Sequence, residues 1–211
     1  MARAARAAGR DPESVTLLAV SKTHPVARIA EAQAAGLGAF GENYVQEALR
    51  KMQSVSGVEW HLIGALQSNK SRLAAERFDW VQTVDRVRVA NRLSEQRPAH
   101  LPPLNVLIEV NISGEASKSG VAVKEVTDLA AAISRLPRLR LRGLMAIPAP
   151  GASGDFVKMR QLYDELRAQF GFDTLSMGMS DDMDQAIAAG ATMVRIGTAV
   201  FGARRTEESP A

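Results

Sequence analysis

Short apolar runs alternate with stretches of helical periodicity along most of the chain. Residues 15–20 (VTLLAV) are apolar at every position but Thr16, the pattern of a strand buried on both faces. Pro25 suits a first helical turn, and Val26, Ile29 and Ala30 follow at helical spacing. A short run at 38–40 precedes Val45, Ala48, Leu49 and Met52, whose spacing makes one helix face. The alternation continues with strands expected at 58–63, 80–84, 104–110, 139–147, 173–177 and 192–196. Between them lie helices around 71–77 and 86–96, one through Val126, Leu129, Ala130 and Ile133, a long one from Phe156 to Phe170, and one at 181–189 that ends at Gly190.

Eight strands alternating with eight helical segments imply an α/β fold of parallel βαβ units, and the number eight favours a closed (β/α)8 TIM barrel over an open doubly wound sheet. The glycine-rich first turn of a dinucleotide fold is missing, because LLAVSKTHP contains no glycine. At 211 residues the chain is short for a barrel of typically about 250, which leaves no room for an inserted domain. One domain over 1–211 is expected, with a short leading helix at 1–10 and a tail at 205–211.

Composition narrows the chemistry. Hydrophobic residues make up 46% and charged ones 23%, as in soluble globular chains. The net charge of +3 is spread along the chain with no block of five like charges, so no nucleic-acid partner is expected. The absence of cysteine removes disulfide frameworks, zinc–thiolate sites, iron–sulfur clusters and thiol nucleophiles together. His24, His61 and His100 show no paired metal-ligand spacing. No apolar stretch approaches the roughly 18 residues that would cross a bilayer, so no membrane partner and a cytoplasmic location are expected. The Ala/Arg-rich start reads as a leading helix, a transit-peptide fragment being the alternative.

Four groups of residues look chemical. Lys22 falls just past the first strand, on the rim where barrel enzymes build their sites. It is either a Schiff-base amine or an exposed lysine opening a loop. Arg195 sits inside the apolar run TMVRIG, where strand alternation would aim it into the barrel mouth. There it either holds a ligand or forms a structural ion pair with a carboxylate such as Glu109. The segments 176–182 (SMGMSDD) and 196–202 (IGTAVFG) combine glycine, hydroxyls and a helix start after strands seven and eight, where barrel phosphate sites are often built. Alternatively Ser180 caps the next helix, with Asp181 and Asp182 complementing its dipole. Finally Glu42, Asn43, Tyr44, His61, Gln67, Ser68 and Asn69 could line a pocket, although Asn43 also suits a helix N-cap and His61 a satisfied core histidine.

Taken together, AVSKTHP, FGENYVQEA, WHLIGALQSNK, GLMAI, SMGMSDDMDQAI and VRIGTAVFGAR resemble the pyridoxal phosphate homeostasis proteins, also called proline synthetase co-transcribed homologues. The resemblance spans about 15–204 and departs mainly at the start, where the leading helix is shortened. It implies a barrel like the N-terminal domain of alanine racemase that binds pyridoxal 5′-phosphate (PLP). It further implies that Lys22 carries PLP as an internal aldimine, that Arg195 meets the pyridine nitrogen, that Ser180, Gly197 and Thr198 hold the phosphate, and that Asn43 lies beside the cofactor.

An arginine at the pyridine nitrogen disfavours its protonation and makes the ring a poorer electron sink. Alanine racemase also takes a second base from a partner subunit through a further domain, for which this chain has no room after Arg195. The reading that follows is a monomeric protein that holds PLP and passes it to apoenzymes, without catalysis. The alternatives are a small PLP-dependent amino-acid racemase with Lys22 as one base and His61 or a water as the other, and a barrel that uses Lys22 on a phosphorylated sugar without a cofactor.

Overall fold

A computed structural model describes residues 1–115, 117–149 and 151–202. Its central strands are β1 (Thr16–Val20), β2 (Ala39–Glu42), β3 (Glu59–Leu62), β4 (Trp80–Val84), β5 (Leu104–Asn111), β6 (Val121–Ala122), β7 (Leu139–Met145), β8 (Thr174–Ser176) and β9 (Met193–Ile196). Every pairing is parallel, and the ring closes because β1 pairs with β9 and β4 with β5. Eight strands therefore form a closed barrel, the (β/α)8 architecture expected from the alternation. The two-residue β6 is an addition to the eight strands read from the sequence. It pairs only with the end of β5 and is too short to carry a pattern.

The helices are α1 (Ala2–Ala7), α2 (Val26–Ala34), α3 (Val45–Met52), α4 (Ser71–Arg77), α5 (Val87–Gln96), α6 (Val126–Ile133), α7 (Ser153–Phe170), α8 (Met183–Ala188) and α9 (Thr198–Phe201). Their apolar faces cover the outside of the barrel. Ile29, Ala48, Ala74, Leu93, Ile133, Phe156 and Ile187 join the outward strand residues Ala19, Phe40, Leu62, Val81, Ile108, Leu144 and Val194 in one core. Each large apolar side chain fully buried here contributes about 1.5–3 kcal/mol. The leading helix is tied down by Arg10, whose guanidinium donates to Ile187 O and Ala191 O at 2.8 and 2.7 Å. The tail expected at 205–211 lies outside the described residues.

Inside the barrel the strands contribute a second, smaller set of side chains. Leu18, Ile63 and Met193 form one apolar cluster and Trp80, Leu107 and Met145 another. Several other inward positions are polar, and they build the floor of the site.

Candidate functional site

Lys22, Asn43, Ser180, Arg195, Gly197 and Thr198, all singled out in the sequence, line one cavity of about 710 Å³ at the C-terminal mouth of the barrel. Val20, Ile63, Ile147, Met179, Asp181 and Ala199 complete its wall. β1 ends at Val20, and the chain turns at once, with His24 N donating to Ser21 O at 3.1 Å. That turn carries Lys22 onto the rim.

Arg195 reaches the cavity because β9 alternates: Met193 packs inside the barrel, while Val194 and Ile196 pack against the helices. Its guanidinium is almost wholly buried, which pushes its pKa down to about 10 and leaves it a cation at neutral pH. Nη1 donates to Ser176 Oγ at 2.9 Å and Nη2 to Ala146 O at 2.8 Å. Among the described residues it makes no contact ion pair, so pairing with Glu109 is not what holds it. Asp182 and Glu109 act on it only across space. Burial and the repulsion of Asp85 raise the Glu109 carboxyl to about 7, against a smaller attraction from Arg195.

A hydrogen-bond chain crosses the barrel beneath Arg195. Ser176 Oγ accepts from Arg195 and donates to Gln82 Oε1 at 2.7 Å, and Gln82 Nε2 lies 3.0 Å from His61 Nδ1. Because Gln82 Oε1 accepts from the hydroxyl, its amide nitrogen faces His61, so Nδ1 is the acceptor and the ring proton sits on Nε2. Burial pushes the His61 pKa down, in keeping with a neutral ring. The imidazole stacks on Trp80 with ring centroids 5.0 Å apart. Glu59 Oε2 is 3.7 Å from Nε2, beyond hydrogen-bond length. His61 is thus a buried core residue outside the cavity wall, and its expected alternative role as a second base does not fit its position.

Two glycines let the backbone close around the site. A Cβ on Gly64 would lie 2.2 Å from Asn43 O, so only glycine allows the β3 exit to pack on the segment that carries Asn43. Gly178 has φ +91°, and its Cβ would come within 2.3 Å of Ala186 Cβ; its carbonyl accepts from Arg195 N at 2.9 Å. After this turn α8 begins at Met183, two residues later than expected. Asp182 is its N-cap residue, and Met179 N donates to Asp182 Oδ1. Ser180 therefore faces the cavity and does not cap the helix. Gly197 precedes α9, whose first amides have no intrahelical acceptor.

The fourth sequence group divides. Asn43 lines the cavity, and Tyr44, not Asn43, is the N-cap residue of α3. Glu42 extends β2 beyond its expected end and turns outward toward α3, where it is fully buried. Tyr44 is exposed. Gln67, Ser68 and Asn69 lie exposed in the turn before α4, where Ser68 O accepts from Ser71 Oγ and Arg92 Nη1. Sequence reasoning passed over Gln82, although a glutamine inside WVQTV raises the same question of burial as an arginine inside TMVRIG, and it took Ser176 only as part of the 176–182 segment, whereas its hydroxyl joins the interior chain. Among the described residues no cluster of His, Asp or Glu could hold a metal ion, and no helix is long and apolar enough to cross a membrane.

Comparison with known proteins agrees with the barrel fold. The family model "Alanine racemase, N-terminal domain" matches residues 2–205. The pyridoxal phosphate homeostasis protein of Escherichia coli strain K12 is 59% identical, over 95% of this chain and 91% of that one. The structure of PipY from Synechococcus elongatus PCC7942, with PLP bound, superposes with a TM-score of 0.82 at 37% identity, covering 95% of this chain and 98% of that one. An alanine racemase from Corynebacterium glutamicum shares the fold, with a TM-score of 0.74 at 20% identity over 98% of this chain and 60% of its own. The chain belongs to the pyridoxal phosphate homeostasis protein family, built on the alanine racemase N-terminal domain.

Proposed function

We propose that this chain is a single-domain PLP carrier, holding the cofactor covalently but reversibly on Lys22 and handing it to PLP-dependent apoenzymes in the cytoplasm. The observation that carries this reading is the convergence of Lys22, Arg195 and the Gly197–Thr198 turn on one cavity. PLP presents an aldehyde, an aromatic ring nitrogen and a phosphate. The cavity offers an amine, a buried cation, and amides and hydroxyls near a helix start. Its volume also falls in the range of small-molecule sites. The residues present fit the group.

In this reading Lys22 would hold the cofactor through its amine, as a reversible C=N bond to the aldehyde carbon formed with release of water. Ser180, Gly197 and Thr198 would hold the phosphate, Arg195 would meet the ring nitrogen, and Asn43 would lie beside the ring. Arg195 enters with its guanidinium already fixed by Ser176 Oγ and Ala146 O. A preorganised cation that keeps its own proton leaves the ring nitrogen unprotonated, which favours holding over carbanion chemistry. Racemisation needs acid–base groups on both faces of a substrate carbon, and His61 lies outside the cavity wall. We read the protein as a monomer with no nucleic-acid or membrane partner. The experiment is the visible spectrum of PLP-loaded protein beside that of Lys22→Ala. The variant is expected to fold normally and lose the yellow adduct; an unchanged spectrum overturns the assignment.

A further inference from the structure

The turn that carries Lys22 is gripped from behind by a buried charged cluster. Residues 21–24 close on the His24 N to Ser21 O hydrogen bond, which puts Lys22 and Thr23 at the two central positions. Thr23 has φ +67°, the only positive φ among the described non-glycine residues, at a position where a type II turn calls for glycine. A β-branched residue adopts that conformation only when its surroundings impose it.

Those surroundings come from α3 and β2. Lys51, near the end of α3 and almost fully buried, directs its ammonium at three oxygens, each 2.7 Å away: Ser21 O, Glu42 Oε1 and Glu47 Oε1. Glu47 Oε1 also accepts from Thr23 N at 2.6 Å. Glu42 Oε1 accepts from Ser21 Oγ at 2.5 Å. The carbonyl before Lys22 and the amide after it are thus both bound to one cluster, which lies between barrel and helix and outside the cavity. Burial of this kind is costly: Glu42 is wholly enclosed, and its Oε2 has no hydrogen-bond partner. Packed apolar residues would fill the space between β2 and α3 with less penalty. What they could not do is bind both peptide groups that flank Lys22.

We infer that Lys51, with Glu47 and Glu42, is a positioning residue for the attachment lysine: the cluster locks the 21–24 turn so that the Lys22 amine enters the cavity preoriented for attack on an aldehyde. This rests on the reading of Lys22 given above. Small errors in the position of a nucleophile lower rates steeply, by as much as about 100-fold for 1 Å.

The test compares the rate of adduct formation with PLP, followed by stopped-flow absorbance, in wild type, Lys51→Met and Arg97→Met. Arg97 is a buried cation of the opposite barrel end, donating to Ala75 O, Phe78 O and Pro102 O. It serves as the control for general loss of stability. Attachment is expected to slow about tenfold or more in folded Lys51→Met and to stay at the wild-type rate in folded Arg97→Met. Equal rates in all three overturn the inference. If Lys51→Met does not fold, Glu47→Ala and Glu47→Gln decide. The alanine variant should be slow, and the glutamine variant, which keeps an oxygen for Thr23 N, should recover. Equal rates for this pair overturn the inference.

Hydrogen exchange at the Thr23 amide in PLP-free protein tests the clamp without the cofactor. It should accelerate about tenfold or more in Glu47→Ala, and unchanged exchange overturns the clamp. Wild type that forms no adduct at all overturns the reading of Lys22, whereas a normal wild-type adduct with unaffected variants overturns the clamp alone.

Discussion

Glu109→Gln isolates one buried charge beside the site. Glu109 lies on β5 in a small cavity of about 170 Å³ that shares Ile147 with the larger one, and it faces Asp85 and Arg195. Its carboxyl titrates near 7 in the folded protein, against 4.5 for an unperturbed glutamate. Between those two values the folded state binds more protons than the unfolded one. Stability contributed by the protonated carboxyl is therefore complete below 4.5 and is lost as pH rises through 7. At about 1.4 kcal/mol per decade of proton affinity, the ionised side chain costs about 3 kcal/mol at pH 8 and under about 1 kcal/mol at pH 5. Glutamine keeps the shape without the charge. Urea denaturation at both pH values should show Glu109→Gln more stable than wild type by about 2–3 kcal/mol at pH 8 and nearly equal to it at pH 5. A difference that does not depend on pH would refute the reasoning, because it would mean that Glu109 already shares its charge with a partner in the folded state.

Other outcomes follow from the same geometry. Arg195→Ala should weaken PLP retention on dialysis far more than Lys70→Ala, a lysine outside the cavity wall; equal losses would reduce Arg195 to a structural cation. Ser176→Ala removes the acceptor of Arg195 Nη1 and the donor to Gln82 Oε1, and it should lower stability by about 1–3 kcal/mol in chemical denaturation. A neutral result would show that the interior chain is not coupled to folding. Gly64→Ala sets a Cβ against Asn43 O; thermal melts should register about 1–3 kcal/mol of destabilisation and PLP should dissociate faster, whereas wild-type behaviour would mean that this approach is not needed.

The barrel was legible because its two periods are both strong. Buried parallel strands read as apolar runs and the covering helices as apolar stripes, and the eight-fold alternation leaves few topologies. Strand ends were less legible wherever a polar residue is buried. Glu42 looks like the start of a loop, yet its Oε1 accepts from Lys51 and Ser21, and the strand runs on to include it. The helix expected from 181 starts at 183 because Gly178 and the Asp182 side chain shape a turn that competes with helix propensity. Lys22, Asn43, Ser180, Gly197 and Thr198 could be gathered from motifs, since rim positions after β1, β2, β8 and β9 converge by the symmetry of the fold, and Arg195 could be added from the strand alternation of β9. The cluster around Lys51 could not be gathered in this way. Glu47 and Lys51 read as an ordinary i,i+4 surface pair, and only the packing of α3 against β2 turns them inward. The exposure of Tyr44 and the enclosure of His61 are likewise consequences of packing that spacing does not encode.

The central claim is that one amine, Lys22 Nζ, carries the cofactor. Borohydride treatment of PLP-loaded protein, followed by peptide mapping, reads this directly, because hydride converts the C=N bond into a stable secondary amine that survives proteolysis. The account predicts the pyridoxyl label on the peptide containing Lys22 and its absence from Lys22→Ala. A label that settles on other lysines while Lys22 stays unmodified would contradict it.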